Sequence, residues 1–200
     1  EDGAVLFEDR RDESRGHVQM LGVAVSPGGD RVAAIGEDGL LRIWDIERQK
    51  RIVAWQGFGG RSVHFDARGS RLLTLDSRGQ PSMVDLSADQ RLPMDSLPIP
   101  AERICFSLDG TLAIAAGPGG IAVLQVVDGS LRHTFAAKGG SGILELVLST
   151  DGKKLGAVSQ RSIHIFALPD LKPLESIRHG APEPTGASWW DGQRIRVAGG

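Results

Sequence analysis

Cysteine is nearly absent: one residue, Cys105, in 200, which excludes an intramolecular disulfide. With apolar Ile104 and Phe106 beside it and no basic neighbour, it reads as a buried or half-buried small side chain and not as an activated thiol. No apolar run approaches a membrane span, and no secretory leader is visible. No stretch free of glycine and proline holds a helical apolar stripe for three turns, which excludes a helical protein. Charge of one sign is missing too: 23 basic against 25 acidic residues give a net charge of −2, so neither a nucleic-acid backbone nor an anionic membrane is an expected partner. The densest charge run, "EDRRDESR" at 8–15, is mixed in sign and reads as a solvated loop. The five histidines, His17, His64, His133, His164 and His179, show no His-x-x-x-His spacing, and Cys-x-x-Cys is absent. No metal ligand set and no cofactor are therefore expected. "GGSGI" at 139–143 lacks the second spacer of a Gly-x-Ser-x-Gly elbow, and "GPGG" at 117–120 joins two strands without a helix to receive a phosphate.

What is abundant is glycine, 27 residues, and it is periodic. Turns recur at "SPGGD" (26–30), "DARGS" (66–70), "SLDGT" (107–111), "STDGK" (149–153) and "WWDGQ" (189–193). Their glycines, Gly29, Gly69, Gly110, Gly152 and Gly192, are 40, 41, 42 and 40 residues apart. The first four turns follow an alternating apolar pair, Val23/Val25, Val63/Phe65, Ile104/Phe106 and Leu146/Leu148, the period of a strand. A second apolar run follows each turn. A second turn ("EDG", "SRG", "GPGG", "SQR") then leads to a third run ("LLRIWDI", "PSMVDL", "IAVLQVV", "SIHIFAL"). "KRIVAWQ" and "LRHTFAA" supply outer fourth strands.

A repeat of 40 to 42 residues that opens on Gly16-His17 and reaches Trp44-Asp45 resembles the WD40 β-propeller family, with one four-stranded blade per period. The resemblance implies an all-β propeller of about five blades, with repeats near 17–57, 58–96, 97–139 and 140–180 and a split blade from 181–200 plus 1–16. The tail "RIRVAGG" and the head "EDGAVLFED" join into the grammar of "DRVAAIGEDGLLRIWD". Two readings stay open, a ring closed by pairing of the two termini and an excerpt of a larger propeller. The missing initiator Met agrees with a processed product or with part of a longer polypeptide, and a cytoplasmic location is favoured.

In the family, a His, a Ser or Thr, an Asp and a Trp form a structural tetrad. His17, Asp38 and Trp44 match three of these places, whereas strand Arg31–Gly36 offers no Ser or Thr. Truncating Trp44 is expected to cost about 3–5 kcal/mol. Elsewhere the Trp44 position holds Glu8, Val84, Leu124 and Phe166, so those blades are expected to rely on packing.

The resemblance further implies that binding resides on a rim made by the starts of the first strands and by the second turns. Those positions hold Leu21, Gly22, Arg61, Ser62, Glu102, Arg103, Leu144 and Glu145, with Glu37, Arg78 and Arg161 from the turns. The expected partner is a protein or peptide of acidic or mixed charge, the plainer reading of each charge being solvation. Trp189 is expected between blades and Trp190 at an exposed turn on the opposite face, a second contact candidate. The leading function is a non-catalytic interaction or sensor module. The alternatives are a propeller hydrolase or lactonase with a funnel site, for which Glu102 and Glu145 are too few ligands, and an architectural segment.

Overall fold

A computed structural model describes residues 18–60, 62–137, 142–179, 184–189 and 195–199, the side chains of 184–186 and 199 excepted. Among them the regular structure is all β. Four antiparallel sheets have four strands each, paired in sequence order, and a fifth has two. Blade 1 comprises β1 (Met20–Val25), β2 (Arg31–Gly36), β3 (Leu40–Asp45) and β4 (Lys50–Gln56). Blade 2 comprises β5 (Val63–Phe65), β6 (Arg71–Leu75), β7 (Pro81–Asp85) and β8 (Gln90–Leu92). Blade 3 is formed by β9 (Arg103–Phe106), β10 (Leu112–Gly117), β11 (Gly120–Gln125) and β12 (Leu131–Ala136). Blade 4 is formed by β13 (Ile143–Leu148), β14 (Lys154–Ser159), β15 (Ser162–Ala167) and β16 (Lys172–Arg178), and β17 (Pro184–Trp189) pairs with β18 (Ile195–Gly199).

The first turn of each four-stranded blade is one structure repeated. Gly29, Gly69, Gly110 and Gly152 have φ between +69° and +71°, left-handed values that glycine adopts without steric cost. Each turn is also stapled by a buried polar side chain at its start. Ser26, Ser107 and Ser149 each accept the N–H of the residue five positions on at 2.9 Å. Each also donates its hydroxyl to a turn carboxylate, Asp30 at 2.7 Å and Asp109 and Asp151 at 2.6 Å. In blade 2 the chemistry is exchanged: Asp66 accepts the N–H groups of Ser70 and Arg71 at 2.8 and 2.9 Å, and Ser70 donates its hydroxyl to the same carboxylate. The turn before each fourth strand ends in another left-handed residue, Gln49, Asp89, Gly129 or Leu171.

Burial follows strand position. β10 is buried at every residue and β2, β6, β11 and β14 nearly so, because both faces of a middle strand meet neighbouring sheets. β4 alternates exposed with half-buried residues and β16 is exposed throughout, as outermost strands must be. The sheets stack face to face in chain order. Ile35 and Leu41 pack with Leu72 and Val84, and Leu73 and Met83 pack with Ile104 and Leu124. Ile114 and Val123 pack with Leu155 and Phe166, and Val158 and Ile163 pack with Ala187 and Ile195. Contacts between the first strands run β1 to β5, β5 to β9, β9 to β13 and β13 to β17. Radially stacked four-stranded meanders with their first strands adjacent make a β-propeller.

Within each antiparallel meander the first and third turns lie at one end of the blade. The starts of the first strands and the second turns lie at the other. That end carries the rim.

Candidate functional site

The rim is built on the first strands. Arg103 opens β9 and is half-buried, with one guanidinium nitrogen donating to the Glu102 carbonyl at 3.1 Å. Glu102 is exposed, and its own N–H is fixed on the Ala116 carbonyl at 2.8 Å. Glu145, half-buried on β13, follows a bulge at Leu144. A bulge re-aims the next side chain and bends the strand, and the same irregularity recurs at Leu21 in β1. Both leucines, like Gly22, are half-buried.

The second turns contribute the outer charges. Glu37 is exposed and donates its N–H to the Gln19 carbonyl at 2.9 Å, while its carboxylate accepts the Gln19 N–H at 3.5 Å. Arg78 is exposed while its N–H and that of Gln80 bond one Asp76 oxygen, both at 2.8 Å. Arg161 is exposed, and its carbonyl receives the His179 N–H at 3.2 Å. Arg61, Trp190 and His17 lie outside the described residues.

Ser62 is not a rim contact, which corrects the sequence expectation. It is buried at 4% exposure. Its hydroxyl donates to the Ile104 carbonyl at 3.1 Å and accepts the Ile104 N–H at 3.0 Å. The reason lies in the strand ladder. Ser107 N–H bonds the Leu112 carbonyl, and bonded pairs alternate along an antiparallel ladder, so Ile104 turns its N–H and carbonyl away from β10. β9 is the edge strand of its sheet, and Ser62 on the next blade satisfies that edge.

The first strands also set up two electrostatic pairs, His64 with Arg103 and Cys105 with Glu145. Solvent reaches His64, yet protein surrounds most of the ring, and this crowding pushes its pKa below 6.5, with Arg103 adding to the effect. Burial pushes the Cys105 thiol up to about 12, with Glu145 acting in the same direction. Both shifts favour the neutral forms at neutral pH. A nucleophilic thiolate needs the opposite of the Cys105 shift, a lowered thiol pKa beside a cation, whereas a neutral imidazole is the form a general base takes. No group of three metal-ligating side chains occurs among the described residues.

Of the expected structural triad, Asp38 and Trp44 fall among the described residues. Asp38 pairs with Arg42, which is 2% exposed, through two contacts of 3.0 and 2.6 Å. Gly36 makes room for the pair: a Cβ there would lie 2.5 Å from the Asp38 carboxylate and 3.0 Å from the Arg42 guanidinium. Trp44 is half-buried, whereas Val84 and Leu124 are fully buried at the matching position and Phe166 is 1% exposed. Arg42 escaped the sequence reading, although an arginine inside the apolar run "LLRIWD", four residues after Asp38, was its signal. Trp189 packs on Val158, Ile163 and Ile165 and donates its indole N–H to the Val147 carbonyl at 3.1 Å.

No family model matches the chain, and no curated protein matches it. Solved structures do. Kuenenia stuttgartiensis hydrazine synthase aligns with a TM-score of 0.79 at 17% identity, covering 98% of this chain and 58% of that one. The β-propeller domain of Myceliophteria thermophila Cps50 (Swd1) aligns with a TM-score of 0.69 at 16% identity, covering 80% of this chain and 58% of that one. At such identities the likeness shows the propeller fold. The chain spans less than two thirds of either structure.

Proposed function

We propose that the chain is a non-catalytic interaction or sensor module, a diverged WD40-like propeller that presents its rim to a protein or peptide segment of acidic or mixed charge. The observation that carries this reading is the pairing of exposed charges with rigid supports. Glu102 and Arg78 face solvent while their backbones are pinned by hydrogen bonds, and Arg103 sits on a strand clamped by Ser62. Loop side chains held on a packed scaffold lose little entropy when a partner binds. The Cys105 thiol, pushed up to about 12 by burial, is protonated at neutral pH, which supports binding over thiolate chemistry. The likeness to the Cps50 (Swd1) β-propeller domain is one of fold, and the likeness to hydrazine synthase keeps an enzyme as the reading to test against.

The test is the double reversal Arg61→Glu with Arg103→Glu, measured by fluorescence anisotropy against a panel of labelled acidic and mixed-charge peptides. Binding should disappear while thermal stability stays within the range of surface substitutions, about 0.5 kcal/mol. Raising salt should weaken the wild-type complex, since exposed charges are screened over about 8–10 Å. Binding that survives the reversal and is lost in Trp190→Ala would move the contact to the opposite face. A hydrolase activity that vanishes in Glu102→Gln or Glu145→Gln would overturn the reading.

A further inference from the structure

We propose that the cleft between blades 3 and 4, on the face opposite the rim, docks a linear peptide in which arginine or lysine flanks a large apolar side chain. This surface is separate from the rim and takes a partner segment of the opposite charge.

The cleft encloses about 490 Å³ where the first turns of blades 3 and 4 meet the Leu168–Pro169 segment. That volume lies within the range of ligand-sized clefts. Its apolar lining is Leu108, Leu112, Leu168 and Pro169. Leu108 is 54% exposed at the tip of its turn, where the other blades carry Pro27, Ala67 and Thr150. In blade 1 the corresponding Pro27 leans on the next turn glycine, Gly69, at 3.6 Å from a Cβ placed there. Leu108 leans likewise on Gly152, at 3.0 Å. The longer side chain leaves apolar surface standing in the cleft wall, and an exposed apolar group beside others marks a contact site.

Charge then selects the occupant. Asp109 and Asp151 both line the cleft. In each, the turn uses one oxygen: Asp109 Oδ1 receives Ser107 Oγ–H and the Thr111 N–H and hydroxyl, and Asp151 Oδ1 receives Ser149 Oγ–H and the Lys153 N–H. The second oxygen of each has no protein partner among the described residues. The serine hydroxyls, followed by the turn N–H groups, hold both carboxyls below their ordinary 3.8, so both are anionic at neutral pH. Two free carboxylate oxygens beside an apolar floor suit a cation next to an apolar side chain, bound by charge-assisted hydrogen bonds. Lys153 is the cation among the lining residues and opposes such a ligand.

The probes are three fluorescein-labelled pentapeptides, Gly-Arg-Leu-Arg-Gly, Gly-Arg-Ala-Arg-Gly and Gly-Glu-Leu-Glu-Gly, titrated by anisotropy against the full chain. The first should bind at least ten-fold more tightly than either of the others. Leu108→Ser should weaken it at least five-fold, and Lys153→Gln should tighten it about three-fold. Both sites are at the surface, so matching melting temperatures will show that the variants are folded. Arg103→Glu should leave this binding unchanged, and Leu108→Ser should leave acidic-peptide binding at the rim unchanged, which separates failure here from failure of the rim reading. Equal binding of the arginine and glutamate peptides, no binding of either, or insensitivity to both cleft substitutions overturns the proposal. So does sedimentation showing that the wild type is a dimer which Leu108→Ser converts to monomer, since a second copy would then be the occupant.

Discussion

Ser62→Ala removes one oxygen and two hydrogen bonds. The hydroxyl answers both backbone groups of Ile104, and Ile104 is 0% exposed. A buried backbone group left unpaired costs about 1–3 kcal/mol. Two such groups facing one another across an interblade seam relax partly together, so the expected loss is about 2–3 kcal/mol. In a domain of 150–250 residues each kcal/mol shifts the melting temperature by about 2–4 °C, which places the fall between about 4 and 12 °C by scanning calorimetry. Ser62→Thr keeps the hydroxyl and should lose less than half as much, whereas Ser62→Val keeps the shape without the donor and should behave like alanine. Urea titration supplies the check on the native state, because an unchanged m-value assigns the loss to stability alone. If Ser62→Ala melts within 1 °C of wild type, the seam is satisfied by other groups and Ser62 is not the clamp between blades 2 and 3.

Phe166→Ala should cost about 3–5 kcal/mol, because the ring is 1% exposed and meets Phe135 edge-on at 4.7 Å between centroids. Trp44→Ala should cost less than this, its ring being half-buried, and paired denaturant curves will rank the two. Acid should destabilise the fold below the ordinary aspartate value of 3.8: Asp30, Asp45, Asp109, Asp128 and Asp151 have depressed folded-state pKa values, so their contribution is complete above that value and is lost as pH falls through the folded ones. Stability measured from pH 5 to pH 2 should fall less steeply in Ser107→Ala with Ser149→Ala, which removes the leading cause of two of those shifts. Asp89→Gly should raise stability by up to about 1 kcal/mol, since a non-glycine residue in the left-handed region is strained, and thermal melts will show it.

Much of the fold was legible because turn geometry has a strict sequence requirement. A left-handed turn position selects glycine, so Gly29, Gly69, Gly110 and Gly152 kept their period while the strands between them diverged. The turn staple was equally present in the letters, as a Ser or Asp three residues before each of those glycines, and passed unnoticed because Ser26 and Asp66 exchange roles with Asp30 and Ser70. The rim was legible as positions and not as side-chain states. The count from the turn placed Arg103, Glu145 and Ser62 near strand starts, but only the hydrogen-bond phase of β9 makes Ser62 an interblade clamp. Arg42 was hidden for a related reason: strand alternation tells which face a residue takes, and says nothing of an ion pair made with the turn before it.

These two classes of residue explain how the repeats diverged without losing the fold. Where three blades put Val84, Leu124 or Phe166 in the core at the Trp44 position, stability comes from sheet-on-sheet packing, which tolerates exchange among apolar side chains of suitable volume. The turns do not tolerate such exchange, because each must fix a left-handed glycine and satisfy the same buried N–H. A blade held by its first turn and its faces leaves the side chains at its rim and in its interblade clefts free to change. Leu108 illustrates the point. Its turn keeps the Ser107 staple and the Gly110 conformation intact, while the exposed position between them has become leucine and supplies the cleft with its apolar wall.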